Sequence, residues 1–133
     1  MAITKDVNRQ KPEIAIVDIN MSDLTSGTAS SVVMDIPAGA VVAFGDLFTT
    51  EAWDSTSTDV MSVGDATSAT RYLSGGNIRA LAARVALVPT GFVSTGEGLK
   101  VTWTSGGGSP TTGSVRLMVG YYIIGKADST YES

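Results

Sequence analysis

The sequence predicts an all-β protein: an antiparallel β-sandwich, jelly-roll-like, with an extended N-terminal arm. Three observations point there. Gly113–Lys126, G-S-V-R-L-M-V-G-Y-Y-I-I-G-K, is the longest nearly unbroken apolar run, rich in β-branched and aromatic residues and bounded by glycines, which is the pattern of a strand. Shorter runs of the same kind are separated by Gly, Ser, Thr and Asp. Segments of Glu, Lys, Ala and Leu, from which long polar helices are usually built, are missing. At 133 residues the chain suits one domain, able to bury about two-thirds of its unfolded surface.

The organising run places Val115, Leu117, Val119, Tyr121 and Ile123 on one face, and Arg116, Met118, Gly120, Tyr122 and Ile124 on the other. Both faces are largely apolar, so the strand is expected inside a sheet and covered on both sides for much of its length.

Taken in order, residues 1–30 read as an N-terminal arm and first strand, 31–126 as the sandwich body and 127–133 as a polar, exposed tail. Residues 1–13, with Lys5, Asp6, Arg9, Lys11 and Glu13, offer little to bury and read as an extended arm. Ile14–Ile19, I-A-I-V-D-I, is the first strand. The turn-rich M-S-D-L-T-S-G-T-A-S-S after it reads as loop, set with the arm partly outside the body.

Val32–Ile36 is the expected second strand, closed by the turn Pro37-Ala38-Gly39, where Gly39 is free to take positive φ. Ala40–Thr50 is the third, with Gly45 marking a bend or bulge. Asp59–Val63 is the fourth, and A-T-S-A-T-R-Y-L-S-G-G reads as loop. Asn77–Leu87 is ambiguous: Ile78, Leu81 and Val85 recur at helical spacing among alanines, yet 84–88 has β character before Pro89. The expectation is one helical turn over 77–81 and a strand over 83–88. Phe92-Val93 is a short strand or strand edge. Leu99–Ser105 alternates cleanly, with Leu99, Val101 and Trp103 inward. It is expected to pair antiparallel with Val115–Ile124 across the G-G-G-S-P-T-T-G loop.

Chemistry narrows the function by exclusion. Cysteine and histidine are absent, which removes disulfides, thiol chemistry, the commonest general base and the commonest metal ligand. A net charge of −4, from nine Lys+Arg and thirteen Asp+Glu, argues against a nucleic-acid partner. No run approaches the roughly 20 apolar residues of a membrane helix, so no membrane partner is expected. The start, M-A-I-T-K-D-V-N-R-Q-K-P, lacks an apolar core and does not read as a secretory signal. The sequon Asn20-Met21-Ser22 therefore carries no weight.

Asp54, Asp59 and Asp65 flank polar loops, but D-S-T-S-T-D lacks the ligand spacing of an EF-hand. They read as turn carboxylates, and no metal or cofactor is expected. No base stands ready to activate a serine, and neither glycine cluster opens a phosphate cradle. No catalytic residue is assigned, and the protein does not read as an enzyme. Trp103 reads as core and Trp53 is open between core and surface. Arg71 either pairs with Asp65 across its turn or fixes a loop that meets a partner.

Three stretches, I-P-A-G-A-V-V (36–42), the S-V-G-D…R-Y-L block (62–73) and V-R-L-M-V-G-Y-Y-I (115–123), resemble small virion proteins of tailed bacteriophages, the β-sandwich decoration or cement proteins on the outside of the head. The resemblance covers roughly residues 32–124 and leaves out the arm. It implies a structural, non-catalytic protein on the outer surface of the virion. Such proteins typically form homotrimers that bind the major capsid protein and stabilise the shell. The residues then expected at capsid or subunit contacts are Lys5, Arg9, Lys11, Ile14, Ile16, Arg71 and Tyr72. The arm and first strand, 1–19, would order on the shell or a neighbour by adding a strand. The alternative is a tail or fibre module that recognises a host-surface ligand such as a glycan, with Trp53, Tyr72 and the Ser/Thr loops forming a shallow site.

Overall fold

The computed structural model describes residues 8–108, 110–123 and 127–130. The strands are β1 (Asn8–Gln10), β2 (Glu13–Asn20), β3 (Ala40–Glu51), β4 (Asp59–Gly64), β5 (Leu73–Asn77), β6 (Arg84–Ala86), β7 (Lys100–Ser105), β8 (Ser114–Ile123) and β9 (Ala127–Thr130). One 3-10 turn, Met21–Asp23, follows β2. All strand pairing is antiparallel. One sheet runs β2-β8-β3-β6, a second β5-β4-β7, and β1 pairs with β9 in a separate two-stranded ribbon.

The second sheet gains an irregular fourth member beside β7. Ala29 bridges Thr102 and Met34 bridges Leu99, and Gly27, Ser30 and Val33 donate their backbone N–H groups to Trp103, Val101 and Leu99. Apart from β4 and β5, which are neighbours in one sheet, successive strands then cross between two layers of four, a jelly-roll-like arrangement. The expected strand at 32–36 is thus present as a single bridge at Met34, with the Val33 N–H bond beside it, rather than as a regular strand. Upstream of it, the hydroxyls of Ser26 and Ser30 take the N–H groups of Ser105 and Val101, so side chains replace part of the ladder there.

β8 lies between β2 and β3, as its apolar run requires. Glu13 faces Tyr121 and Asn20 faces Ser114 on one side; Ala40 faces Ile123 and Glu51 faces Ser114 on the other. Val115, Leu117 and Val119 are fully buried and meet Met61, Val63, Val101 and Trp103 from the second sheet in one core. The opposite face is not covered: Arg116 is exposed, and Met118 and Tyr122 are half-buried. The sheet is solvated on that side, as antiparallel sheets commonly are.

Other expectations are corrected. β7 pairs with β4, not with β8, so 99–105 and 114–123 lie in opposite sheets. The connecting loop is no hairpin: Gly107, Gly108 and Gly113 have positive φ, and Asp54 accepts N–H bonds from Thr111 and Thr112 as the chain crosses the end of the sandwich. Residues 13–30 lie on the body, through β2 and the contacts to β7.

No helical turn forms over 77–81. Ile78 N–H goes to Asp59, Ala82 N–H to Thr49, and the Arg79 and Ala83 carbonyls accept from Trp53 and Thr49. These backbone groups serve neighbouring strands, which overrides helix propensity. Residues 73–76, read as loop, and Asn77, read as the start of the helical turn, form β5. The register shifts in β3 fall at Val42/Phe44 and Thr49/Glu51, either side of Gly45. Gly45 instead allows a close approach: a Cβ there would stand 2.4 Å from Met118 O. Gly39 does take positive φ, +87°, in a turn closed by Ala40 N–H to Pro37 O. Residues 8–10 and 127–130, read as arm and free tail, pair with each other.

Truncating the central strand tests this architecture. Leu117→Ala should cost about 2–5 kcal/mol, read as a lower urea midpoint with an unchanged slope.

Candidate interaction surface

Alternation along β2 turns Ala15, Val17 and Ile19 toward the core and leaves Ile14 and Ile16 at 59% and 60% exposure. Register places Ile14 beside Gly120 and Ile16 beside Met118. From the far side, Phe44 also faces Gly120. A Cβ on Gly120 would stand 2.1 Å from the Phe44 ring, so the ring lies across the glycine, in the manner of an aromatic covering a strand glycine. Phe44 remains 40% exposed. Ile14, Ile16, Phe44, Met118 and Tyr122 therefore make an apolar stripe on the outer face of the four-stranded sheet. It lies at the end of β2 next to the arm.

The same face turns charged toward its other end. Asp18 stands opposite Arg116, and Arg116 opposite Phe48. The Arg116 guanidinium sits 5.1 Å from the Phe48 ring centre. Arg84 Nε donates to Asp46 Oδ2 at 2.6 Å. β2 is also the edge of its sheet, so one row of its backbone donors and acceptors faces away from β8.

The remaining expected contact residues fall elsewhere. Lys5 and the Arg9 side chain lie outside the described residues. Lys11 is exposed where the arm enters β2. Arg71 packs on Phe92, next to the Val93 that bridges Val41 of β3, and Tyr72 is only 3% exposed and packs in the core. Ile14 and Ile16 share the outer face of β2 just after Lys11; Tyr72 does not reach that face. Phe44 was missed because residues 40–50 read as one strand, with no sign of the face the ring would take after the Val42/Phe44 shift.

Arg71 pairs with Asp65, one of its two sequence readings. Its Nε donates to Oδ2 at 2.6 Å, and its guanidinium carbon lies 3.5 Å from the Phe92 ring centre. Asp65 also accepts the N–H groups of Thr67 and Ser68. Burial pushes the Asp65 carboxyl up, but the Arg71 bond, these N–H bonds and the Arg71 charge outweigh it and hold the carboxyl below its ordinary value of 3.8. Burial, with the Asp65 charge beside it, raises the Tyr72 phenol.

The three loop aspartates are apart and engaged. Asp54 takes Thr111 and Thr112, and Asp59 takes the Trp103 indole N–H. Among the described residues no cluster of three or more His, Cys, Asp or Glu could hold a metal. Trp53 is 3% exposed, so neither Trp53 nor Tyr72 presents a ring for a sugar to stack on. No helix among the described residues is long and apolar enough to cross a membrane.

Comparisons with solved structures follow this fold over nearly its whole length. A chain of the cyanophage Pam1 capsid asymmetric unit superposes with a TM-score of 0.70 over 92% of both chains at 21% identity. A chain of the acidic stable capsid structure of Helicobacter pylori bacteriophage KHP30 gives 0.62 at 18% identity, over 90% of this chain and 92% of that one. A chain of the Ralstonia phage GP4 capsid gives 0.60 at 15% identity, over 96% and 92%. The sequence matches no family model and no curated protein. The fold is thus one found in chains of bacteriophage capsid structures.

The Asp65 site makes a signed prediction about acid. A depressed native pKa contributes stability above the unfolded value near 3.8, lost as pH falls through the lower native value. Asp65→Asn should cost about 2 kcal/mol at pH 7. Urea unfolding across pH 2–5 should show a shallower loss with acid than in the unaltered chain.

Proposed function

We propose that the chain is a structural virion protein that binds the outside of a bacteriophage capsid and stabilises it as a decoration or cement protein. The observation that carries this reading is a whole-chain jelly roll shared, over at least 90% of its length, with chains of three phage capsid structures. The sequence resemblance at residues 36–42, 62–73 and 115–123 supports the same class. Interior residues of that fold explain those stretches: Ile36, Val42, Val63, Tyr72 and Val115 are all buried.

The partner is the major capsid protein, and the working assembly is a homotrimer. The apolar stripe is the contact surface best suited to it. Ile14 and Ile16 stand on an edge strand whose free backbone groups suit strand addition, and the arm with Lys11 enters directly beside them. Catalysis has no part in the proposal.

The test is co-sedimentation with mature, undecorated heads of the virus that encodes the chain. Saturable binding at a symmetry-related stoichiometry, with heads then resisting heat, is the expected result. Ile14→Lys combined with Ile16→Lys should weaken binding about tenfold or more, with little change in melting temperature, because both side chains are exposed. Deleting residues 1–13 should also weaken binding while the body melts nearly as before. Unchanged binding after deletion rules out the arm; binding to tails or host cells but not heads overturns the capsid reading.

A further inference from the structure

The sandwich is open along the side where β2 ends its sheet. There β2 and residues 23–33, which lead into the outer member of the opposite layer, line a groove of about 270 Å³. Val17, Ile19, Leu24, Val32 and Val33 give it apolar walls, and Asp18 and Asp23 also stand at it. Val17, Leu24 and Val33 are half-buried and Val32 is 47% exposed, so apolar surface continuous with the core reaches solvent here. The backbone beside the groove is open on one side. Met21 N–H goes to Gly113 O, whereas Asn20 N–H goes to the Asp23 carboxylate. Alternation along an antiparallel ladder then turns the N–H and C=O groups of Ile14, Ile16 and Asp18 away from β8. A row of backbone groups next to an apolar slot suits an added strand. The row takes the strand's backbone and the slot takes its alternate side chains.

Residues 1–7, M-A-I-T-K-D-V, carry the matching pattern. Met1, Ile3, Lys5 and Val7 alternate with Ala2, Thr4 and Asp6, so an extended segment presents one face that is apolar except for Lys5. Lys5 answers Asp18 and Asp23, because its stem lies along apolar surface while the ammonium stays at the rim. The arm of the same chain does not reach this groove. β1 pairs with β9 in the same antiparallel sense as β2 with β8, in a ribbon separate from both sheets. Along that direction Asn8 and Val17 stand about 30 Å apart, whereas seven residues span at most about 25 Å. A second copy's arm has no such limit. An arm leaving one copy and entering the next is a head-to-tail contact, which closes into a ring.

We propose that residues 1–7 of a second copy occupy this groove, adding a strand to β2 and tying the copies of a homotrimer together. The proposal rests on the homotrimer of the reading above, and it leaves the outward side chains of Ile14 and Ile16 to the shell. The chain has no cysteine, so engineered pairs report the contact directly. Ile3→Cys is combined with Ser31→Cys, an exposed residue of the groove wall. The full chain is oxidised at micromolar concentration without heads and resolved on a denaturing gel without reductant. A ladder of covalent dimer and trimer is the expected result. Ile3→Cys with Thr90→Cys, exposed outside the groove, should give about tenfold less ladder or lower still, because only a docked arm holds the two thiols at high effective concentration. Adding Lys5→Glu or Val32→Asp to the first pair should remove most of the ladder. Monomer alone, an internally bridged monomer, or an equal ladder from the Thr90 pair overturns the proposal. Because no heads are present, that outcome leaves the capsid reading to its own co-sedimentation test.

Discussion

Everything in this fold rests on β8 being hydrogen-bonded on both sides while one of its faces closes the core. Its backbone pairs with β2 and β3 along nearly its whole length. Its inner residues Val115, Leu117 and Val119 are sealed from solvent. Strand pairing and apolar burial therefore act on the same residues, and neither survives alone: an isolated pair of strands is marginal in water, and a core needs a fixed sheet face. The opposite layer supplies Met61, Val63, Val101 and Trp103, contributed by β4 and β7. That layer is smaller and less regular, and serine hydroxyls take over some of its pairing at Ser26 and Ser30.

Polar side chains do at the loops what strands do in the body. Asp59 is fully buried, yet its oxygens meet Trp103, Ser55 and, at longer range, Arg79. This holds Trp53 and Trp103 at 5.0 Å between ring centres and closes one end of the sandwich. Asp65 does the same for the turn at 65–71, with Arg71 clamped between a carboxylate and Phe92. Both aspartates answer the general demand that a buried charge be bonded and matched. Neither retains the free oxygens that a hard cation requires.

The outer face of the four-stranded sheet has the opposite character. Soluble β-proteins commonly blunt an edge strand with charge, proline or a bulge. β2 carries Ile14 and Ile16 outward instead, and its register with β8 is unbroken from Glu13 to Asn20. An open edge with apolar residues at its base is a surface for association.

Strand identity was legible wherever a run was long or alternated cleanly: 14–19, 40–50, 59–63, 99–105 and 115–123 all appear, because burial on one face imposes a period of two on the sequence itself. The pairing of Arg71 with Asp65 was open as one of two readings, since both partners lie within one turn. Other features were not legible. Partners far apart in sequence decide whether Ile78–Ala83 serves β3 and β4 or winds into a helix. Trp53 and Tyr72 are equally at home in a core or at a binding surface until the opposing layer is placed. By itself the sequence determined an all-β sandwich built around one long apolar strand, because composition and local periodicity are properties of neighbouring residues. Only the tertiary structure decided which sheet each strand joins, which face Phe44 takes, and that Val17 and Val32 share a groove, because those depend on hydrogen bonds and contacts between residues the chain keeps far apart.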